Sequence, residues 1–593
     1  MLAIFVLMAL LRAACALLFV AASSLLQASA ASSPLLRGLS LRDRIAQLII
    51  VRGYGDYPPS DNAEYKRFIR WITVDHVGGF IVAGRIRNGS VIPAQPYEMA
   101  AFINHMQRLA KLPLLIGSDF ERGASMRVAG TARFPHLMAF GAAHDLEAMH
   151  ELGAATAREA HALGVTWVFA PDADVNNNPD NPIINVRSYG EDPKAVADGV
   201  SAFIEGAHAD PRNYVMVTAK HFPGHGDTAE DSHLQLAKLD ETKERIEALE
   251  LVPFRAAIAH GIDSIMTAHV AVPAFEPDEI PATVSHNILT GLLKDELGFK
   301  GIVVTDAMEM QGVAALYSSG EAAVRAIEAG ADVVLMPTDP TACIRAIEAA
   351  VLKGQITRKQ IDLSAAKILA AKQRTGVFRS RHLDLDTLAD SLDDQKLDSL
   401  AQSVADRAVT LVKDENHLFP LPNPDGTCLV TMTDDPFSTH GEVLARTLRQ
   451  TAHSLQIFET NAAMSPELLG AIGGQTTKCK QIYVAAFVTV SANRGSVDLQ
   501  GGLTQFLKDL VHGPAPVALV TLGNPYLLRD VPEAGSYAAT FSSTLTSEAA
   551  AAKAILGDIA ITGRMPVSIP GLVKIGDGLD VPASTKPASN GAE

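Results

Sequence analysis

From about residue 37 the chain repeats one unit: a short apolar, β-branched run, a polar break, then a longer amphipathic stretch. Eight such runs occur, over residues 45–51, 79–83, 112–117, 165–170, 214–218, 263–267, 301–305 and 331–336. Helical patterns lie between them, as at 65–71, 98–109, 146–163, 193–209, 241–260 and 321–329. Apolar runs that do not alternate are strands buried on both faces, which means a parallel sheet covered by helices. Eight units in some 340 residues fit a closed (β/α)8 barrel better than an open sheet. A chain of 593 residues is too long for one ordinary core, and the pattern restarts. Residues 377–400 read as a charged linker, and 401–570 as a smaller α/β layered (sandwich) domain with apolar runs at 428–432, 482–489, 518–523 and 537–542. The barrel is thus expected over 37–376. Residues 571–593, rich in Pro, Ser, Ala and Gly towards the end, are expected to be a disordered tail.

Residues 1–30 stand apart. They are apolar with Arg12 as the one charge, and Ala28-Ser29-Ala30 offers a small-x-small cleavage site. This reads as a secretory signal peptide, with an uncleaved anchor as the alternative. Its removal leaves Cys343, Cys428 and Cys479. An odd, widely spaced set is neither a disulfide framework nor a metal cluster. Export, periplasmic or extracellular in a bacterium, is the expectation, with no membrane association after cleavage. A net charge of −16 argues against nucleic acid, which demands a positive face.

In a barrel of this kind chemistry collects at the carboxyl ends of the strands, and the ionisable residues fall there. Asp119, Glu121, Arg122 and Arg127 follow the third run. Asp172, Asp174 and Arg187 follow the fourth, His269 the sixth, Asp306 and Glu309 the seventh. After the fifth comes the densest stretch, Lys220-His-Phe-Pro-Gly-His-Gly-Asp-Thr-Ala-Glu-Asp-Ser-His233. One such acid could be a helix cap; five loaded strand ends are hard to assign to capping.

Asp306, held at the end of a buried strand, suits a nucleophile. In Asp231-Ser232-His233 a carboxylate two residues from an imidazole can orient the ring and raise its basicity, making an acid/base pair. Lys220, His221, Arg127 and Arg187, with Asp119 as acceptor, suit a polyhydroxylated ligand. Gly224 and Gly226 suggest a hinge that lets His233 close over that ligand. No phosphate loop of the Walker type is present. His221, His225 and His233 match no common zinc spacing, and Lys220 would repel a cation, so no metal and no cofactor is expected.

The stretch Lys220-His-Phe-Pro-Gly-His-Gly226 with Asp231-Ser232-His233, Thr305-Asp306 and Arg187-Ser188-Tyr189 resembles glycoside hydrolase family 3, in its β-N-acetylglucosaminidase branch. The similarity runs through the whole barrel. It implies a retaining exo-glycosidase, acting as a monomer on terminal β-linked N-acetylglucosamine in peptidoglycan fragments or chitooligosaccharides. Asp306 would form the glycosyl-enzyme, and His233, oriented by Asp231, would move the proton. Asp119, Arg127, Arg187, Lys220 and His221 match the family's sugar-binding positions. A phosphorylase, in which phosphate replaces water, and a β-glucosidase of the same family are the alternatives. The chain departs from the family pattern at Arg122, where a second glycine is usual.

Overall fold

The computed structural model describes residues 34–87, 90–392, 394–491 and 494–584. The expected signal peptide lies outside the described residues.

The eight strands of the barrel are β1 (Ile49–Gly53), β2 (Gly79–Val82), β3 (Leu115–Ser118), β4 (Trp167–Val168), β5 (Met216–Phe222), β6 (Ser264–Thr267), β7 (Ile302–Thr305) and β8 (Val334–Leu335). They pair in the order β7-β6-β5-β4-β3-β2-β1-β8, every pair parallel. A parallel bridge between Val304 and Val333 joins the two ends, so the sheet closes. Inside, the Trp167 indole N–H donates to Thr218 Oγ1 at 2.8 Å and Ser264 Oγ at 3.0 Å. A large side chain thus plugs the barrel with its one polar atom satisfied. The first strand begins later than its apolar run suggests. Ile45–Gln47 belong to a helix, Leu41–Gln47, which Ser40 and Asp43 start with a reciprocal capping box.

The connector after the barrel wraps its surface. Leu383 exchanges both backbone hydrogen bonds with the Asn104 amide, and Asp394 pairs with Arg158 at 2.7 Å. The second domain is a six-stranded sheet of β9 (Thr410–Asp414), β10 (Thr427–Thr433), β11 (Gln456–Asn461), β12 (Gln481–Val488), β13 (Val517–Gly523) and β14 (Ser536–Ala539). Its order is β9-β14-β13-β12-β10-β11, parallel except for β9 against β14. Helices cover both faces.

Two expectations need correction. Cys428 and Cys479 form a disulfide. They are far apart in sequence, but β10 and β12 are neighbours, with Thr427 opposite Gln481, and that register brings the two thiols together. Cys343 is buried and free. The expected disorder from residue 571 is also not what the fold shows up to 584. Leu579 N–H donates to Leu411 O at 2.7 Å, and Val581 and Ile561 exchange bonds. Edge pairing fixes a segment whose composition alone suggests none.

The domains share one apolar interior: Met138, Ala139, Ala142 and Val186 of the barrel pack into the second domain's core. Around it the Glu191 carboxylate accepts from Ser568 N–H at 2.6 Å and its hydroxyl at 2.5 Å. His136 reaches Ser542 Oγ at 2.9 Å through Nδ1.

Candidate active site

The barrel presents two groups of side chains at the carboxyl ends of its strands. The first is an ion network between β3, β4 and β5. Lys220 Nζ lies 2.7 Å from Glu121 Oε1 and 3.2 Å from Asp119 Oδ1. Arg187 forks onto Glu121, at 2.8 Å and 3.0 Å, and reaches Asp172 Oδ2 at 3.1 Å. Arg127 meets the other oxygen of Asp119 at 3.3 Å. Burial alone would lower the Lys220 ammonium, but Glu121 and Asp119 outweigh it and hold the group charged above its ordinary range. Burial would likewise raise the Glu121 carboxyl; Arg187 and Lys220 pull it well below the usual range instead.

His221 sits beside this network. Its backbone N–H and Nδ1 both reach Asp174 Oδ2, at 3.1 Å and 2.7 Å, and its Nε2 lies 3.5 Å from Arg187 Nη2. Burial brings its pKa down to about 4, so the ring is neutral at ordinary pH and works as a hydrogen-bonding group. Burial pushes the carboxyls of Asp172 and Asp174 up. Asp172, Asp174 and His221 bring three potential ligand atoms within 4.8 Å of one another. Arg187 already supplies the positive charge there, so the set does not call for a metal ion.

The second group surrounds Asp306, one residue past β7. Its Oδ1 accepts from the Ala307 N–H at 2.7 Å. Burial alone would raise this carboxyl, yet the imidazoles of His221 and His269, the Ala307 amide and then His233 bring it to about 2. His269 donates through Nε2 to Ala307 O at 3.1 Å, and its Nδ1 lies 2.8 Å from the Thr283 Oγ1. That fixes the peptide after the carboxylate.

The segment from Gly224 to His233 folds back across this mouth. Asp231 Oδ1 accepts from the backbone N–H of His233 at 2.8 Å and lies 2.9 Å from its Nδ1. The His233 side chain is 29% exposed, while Asp231 is buried. His225 staples the segment from within, Nδ1 to Thr228 Oγ1 at 2.7 Å and Nε2 to Ser232 Oγ at 2.9 Å. Burial lowers its pKa to about 3. The carbonyls of Ser232 and His233 accept from Gly312 and Gln311, beyond β7. The two glycines serve close packing here. A side chain at Gly226 would collide with the Val175 carbonyl, and one at Gly224 would meet Glu250 at 2.7 Å.

Asp306, His233, Asp231, Asp119, Arg127, Arg187, Lys220 and His221 therefore all stand at one end of the barrel. Glu121, Asp172 and Asp174 are the acids that composition alone did not single out. Their signal is positional: they directly follow β3 and β4, and they balance the cations Lys220 and Arg187. Arg122, where the family pattern is broken, turns towards the Phe134 carbonyl, 3.4 Å from its Nη1.

Residues 40–371 match the model of the glycosyl hydrolase family 3 N-terminal domain. The chain is 28% identical over 490 residues to a β-N-acetylglucosaminidase/β-glucosidase of Cellulomonas fimi, covering 79% of this chain and 86% of that one. It is 34% identical over 275 residues to a β-hexosaminidase of Xylella fastidiosa, covering 45% and 78%. Among solved structures, a family 3 β-N-acetylglucosaminidase of a Paenibacillus species superposes with a TM-score of 0.80 at 32% identity, over 91% of this chain and 100% of that one.

Proposed function

The chain belongs to glycosyl hydrolase family 3, and on that premise we propose that it is an exported, retaining β-N-acetylhexosaminidase removing terminal β-linked N-acetylglucosamine. The observation that carries this reading is the pairing of a carboxylate held ionised near pKa 2, Asp306, with an Asp231-oriented imidazole at the same mouth. The named β-N-acetylglucosaminidase and β-hexosaminidase relatives support the choice of sugar.

In the first step an Asp306 oxygen bonds to the anomeric carbon as the glycosidic C–O bond breaks, and His233 gives its Nε2 proton to the departing oxygen. In the second, His233 takes a proton from water, whose oxygen bonds to the same carbon and releases Asp306. Two displacements restore the β configuration. Most retaining enzymes use a second carboxylate for proton transfer; an imidazole fills that place here. Lys220, Arg187, Arg127, Asp119 and His221 would hold the sugar hydroxyls and the N-acetyl-bearing ring. Peptidoglycan fragments are the proposed natural source, with chitooligosaccharides second. The Cys428–Cys479 disulfide supports export, because such bonds persist in oxidising compartments.

The test is a hydrolysis screen over nitrophenyl glycosides, with and without phosphate, reading the product anomer by NMR. N-acetylglucosaminide turnover with β product and no phosphate dependence is expected. A glucoside preference, an α product, or sugar phosphate released only with phosphate present would overturn it in turn for substrate, stereochemistry and acceptor.

A further inference from the structure

We propose that the second domain takes part in proton transfer: Asn524 and Arg494 hold the segment 494–498 against Asp231, and so keep the Asp231–His233 pair aligned with Asp306. This rests on the reading of His233 as the acid/base.

The Asp231 carboxylate is asymmetric. Oδ1 takes both hydrogen bonds of His233, while Oδ2 is buried and has no hydrogen-bond partner among the described residues. The Gly495 backbone N–H, from the second domain, faces this carboxylate and lowers its pKa along with His233, against burial. A side chain at Gly495 would stand 3.3 Å from Leu234 Cδ1, the residue next to His233. Gly495 of the second domain thus lies close to the acid/base segment, with its amide at Asp231 and no room for a bulky side chain beside Leu234. Hydrogen bonds at catalytic sites are often long without substrate and shorten in the complex, which gives the free oxygen and the facing amide a function.

The segment is itself anchored from two directions. Arg494 donates to Thr489 O at 3.1 Å and Asp498 O at 2.6 Å, and pairs with Asp434. The Asn524 amide donates to Val497 O at 2.7 Å, and its oxygen accepts from Asn185 Nδ2 at 3.2 Å. Asn185 opens the turn Asn185–Arg187 that carries Arg187 into the ion network. One buried amide therefore ties the sugar-binding turn of the barrel to the segment that backs Asp231. Asn524 and Arg494 are positioning residues; neither touches the reacting atoms.

The experiment compares full-length Asn524→Asp, Arg494→Gln and Arg494→Lys with His233→Ala. Asn524→Asp keeps the acceptor for Asn185 and loses the donor to Val497. Each variant is assayed on chitobiose, whose leaving group needs a proton, and on a dinitrophenyl N-acetylglucosaminide, whose leaving group does not. The ratio of the two kcat values is independent of how much protein folds. Asn524→Asp and Arg494→Gln should lower that ratio about 10-fold, a fraction of a full general-acid contribution, with Arg494→Lys partly restored. An unchanged ratio in both variants, alongside a large change in His233→Ala, would overturn this inference alone. No change in His233→Ala would overturn the acid/base reading beneath it.

Discussion

The two ends of one loop, Lys220–His221 and Asp231–His233, lie eleven residues apart in number and are built on opposite plans. Lys220 and His221 are buried on a strand end, and each neighbouring charge is matched by another. Asp231 and His233 rest on a few hydrogen bonds and leave the imidazole partly open. On the proposed mechanism, the contrast follows from the work each would do. Holding a polar sugar needs donors and acceptors fixed in advance, and a desolvated ion network supplies them. Moving a proton needs a ring nitrogen left open to the reacting atoms, and the His233 side chain is 29% exposed. Burial takes His221 and His225 to about 4 and 3; an imidazole buried that way stays neutral and has no proton to deliver at ordinary pH.

The largest expected effect falls on neither end. Asp306→Ala should cost at least about 10⁴-fold in kcat on every glycoside, in the range of lost nucleophiles. Azide should rescue part of it and give an α-glycosyl azide; a β product would move the nucleophile elsewhere. His233→Ala should cost about 10²–10⁴-fold on poor leaving groups and far less on activated ones, with Asp231→Ala smaller in the same direction. An equal loss on both substrates would erase the contrast. Lys220→Met should behave the other way, raising KM by about 10-fold or more with no leaving-group dependence. It should also lower thermal stability, since Glu121 and Asp119 lose a buried partner. A leaving-group split in this variant would merge the two halves.

The smallest effect tests what lies under the binding half. Glu159 is buried, accepts from Ala124 and Ala132 at 3.3 and 3.4 Å, and has a carboxyl pushed up to about 7 by burial. Its folded pKa exceeds its unfolded one. The folded state therefore binds the extra proton between about 4.5 and about 7, and stability falls as pH rises through that window. Glu159→Gln carries a pH-independent cost, because its amide nitrogen cannot accept from Ala124 or Ala132, but its Tm relative to the parent should rise by about 3 °C between pH 4 and pH 8. A pH-independent difference would show that Glu159 does not carry the titration.

The barrel was legible because strands covered on both faces are continuous apolar runs, and because its chemistry had to fall at their carboxyl ends. The second domain was less so. Its edge strand Gln456–Asn461 is only partly buried and carries no unbroken apolar run. Thr410–Asp414 follows directly on a helix ending at Ala408, so the two merge into one pattern. The Cys428–Cys479 bond depends on strand order, which no local pattern encodes. Asp231, His233 and Asp306 could be read from residue types and position. Glu121, Asp172 and Asp174 could be placed at strand ends but not matched to Lys220 and Arg187, since those contacts form only once the segments after β3, β4 and β5 converge. The glycines before Asp231 were legible as special positions, and the structure adds a packing reason for them, against Val175 and Glu250.

The contacts of Glu191 with Ser568 and of His136 with Ser542 also bear on how this catalyst can be shortened or recombined. The stretch from Arg187 to Glu191 serves two owners, with an arginine of the ion network at one end and a docking acid at the other. A barrel cut free at residue 376 would leave Glu191 without its partners and Met138, Ala139 and Val186 facing water. Any graft of this barrel onto another scaffold must therefore redesign that strip together with the catalytic mouth, because the boundary between the modules runs through the same short stretch that carries Arg187 into the ion network.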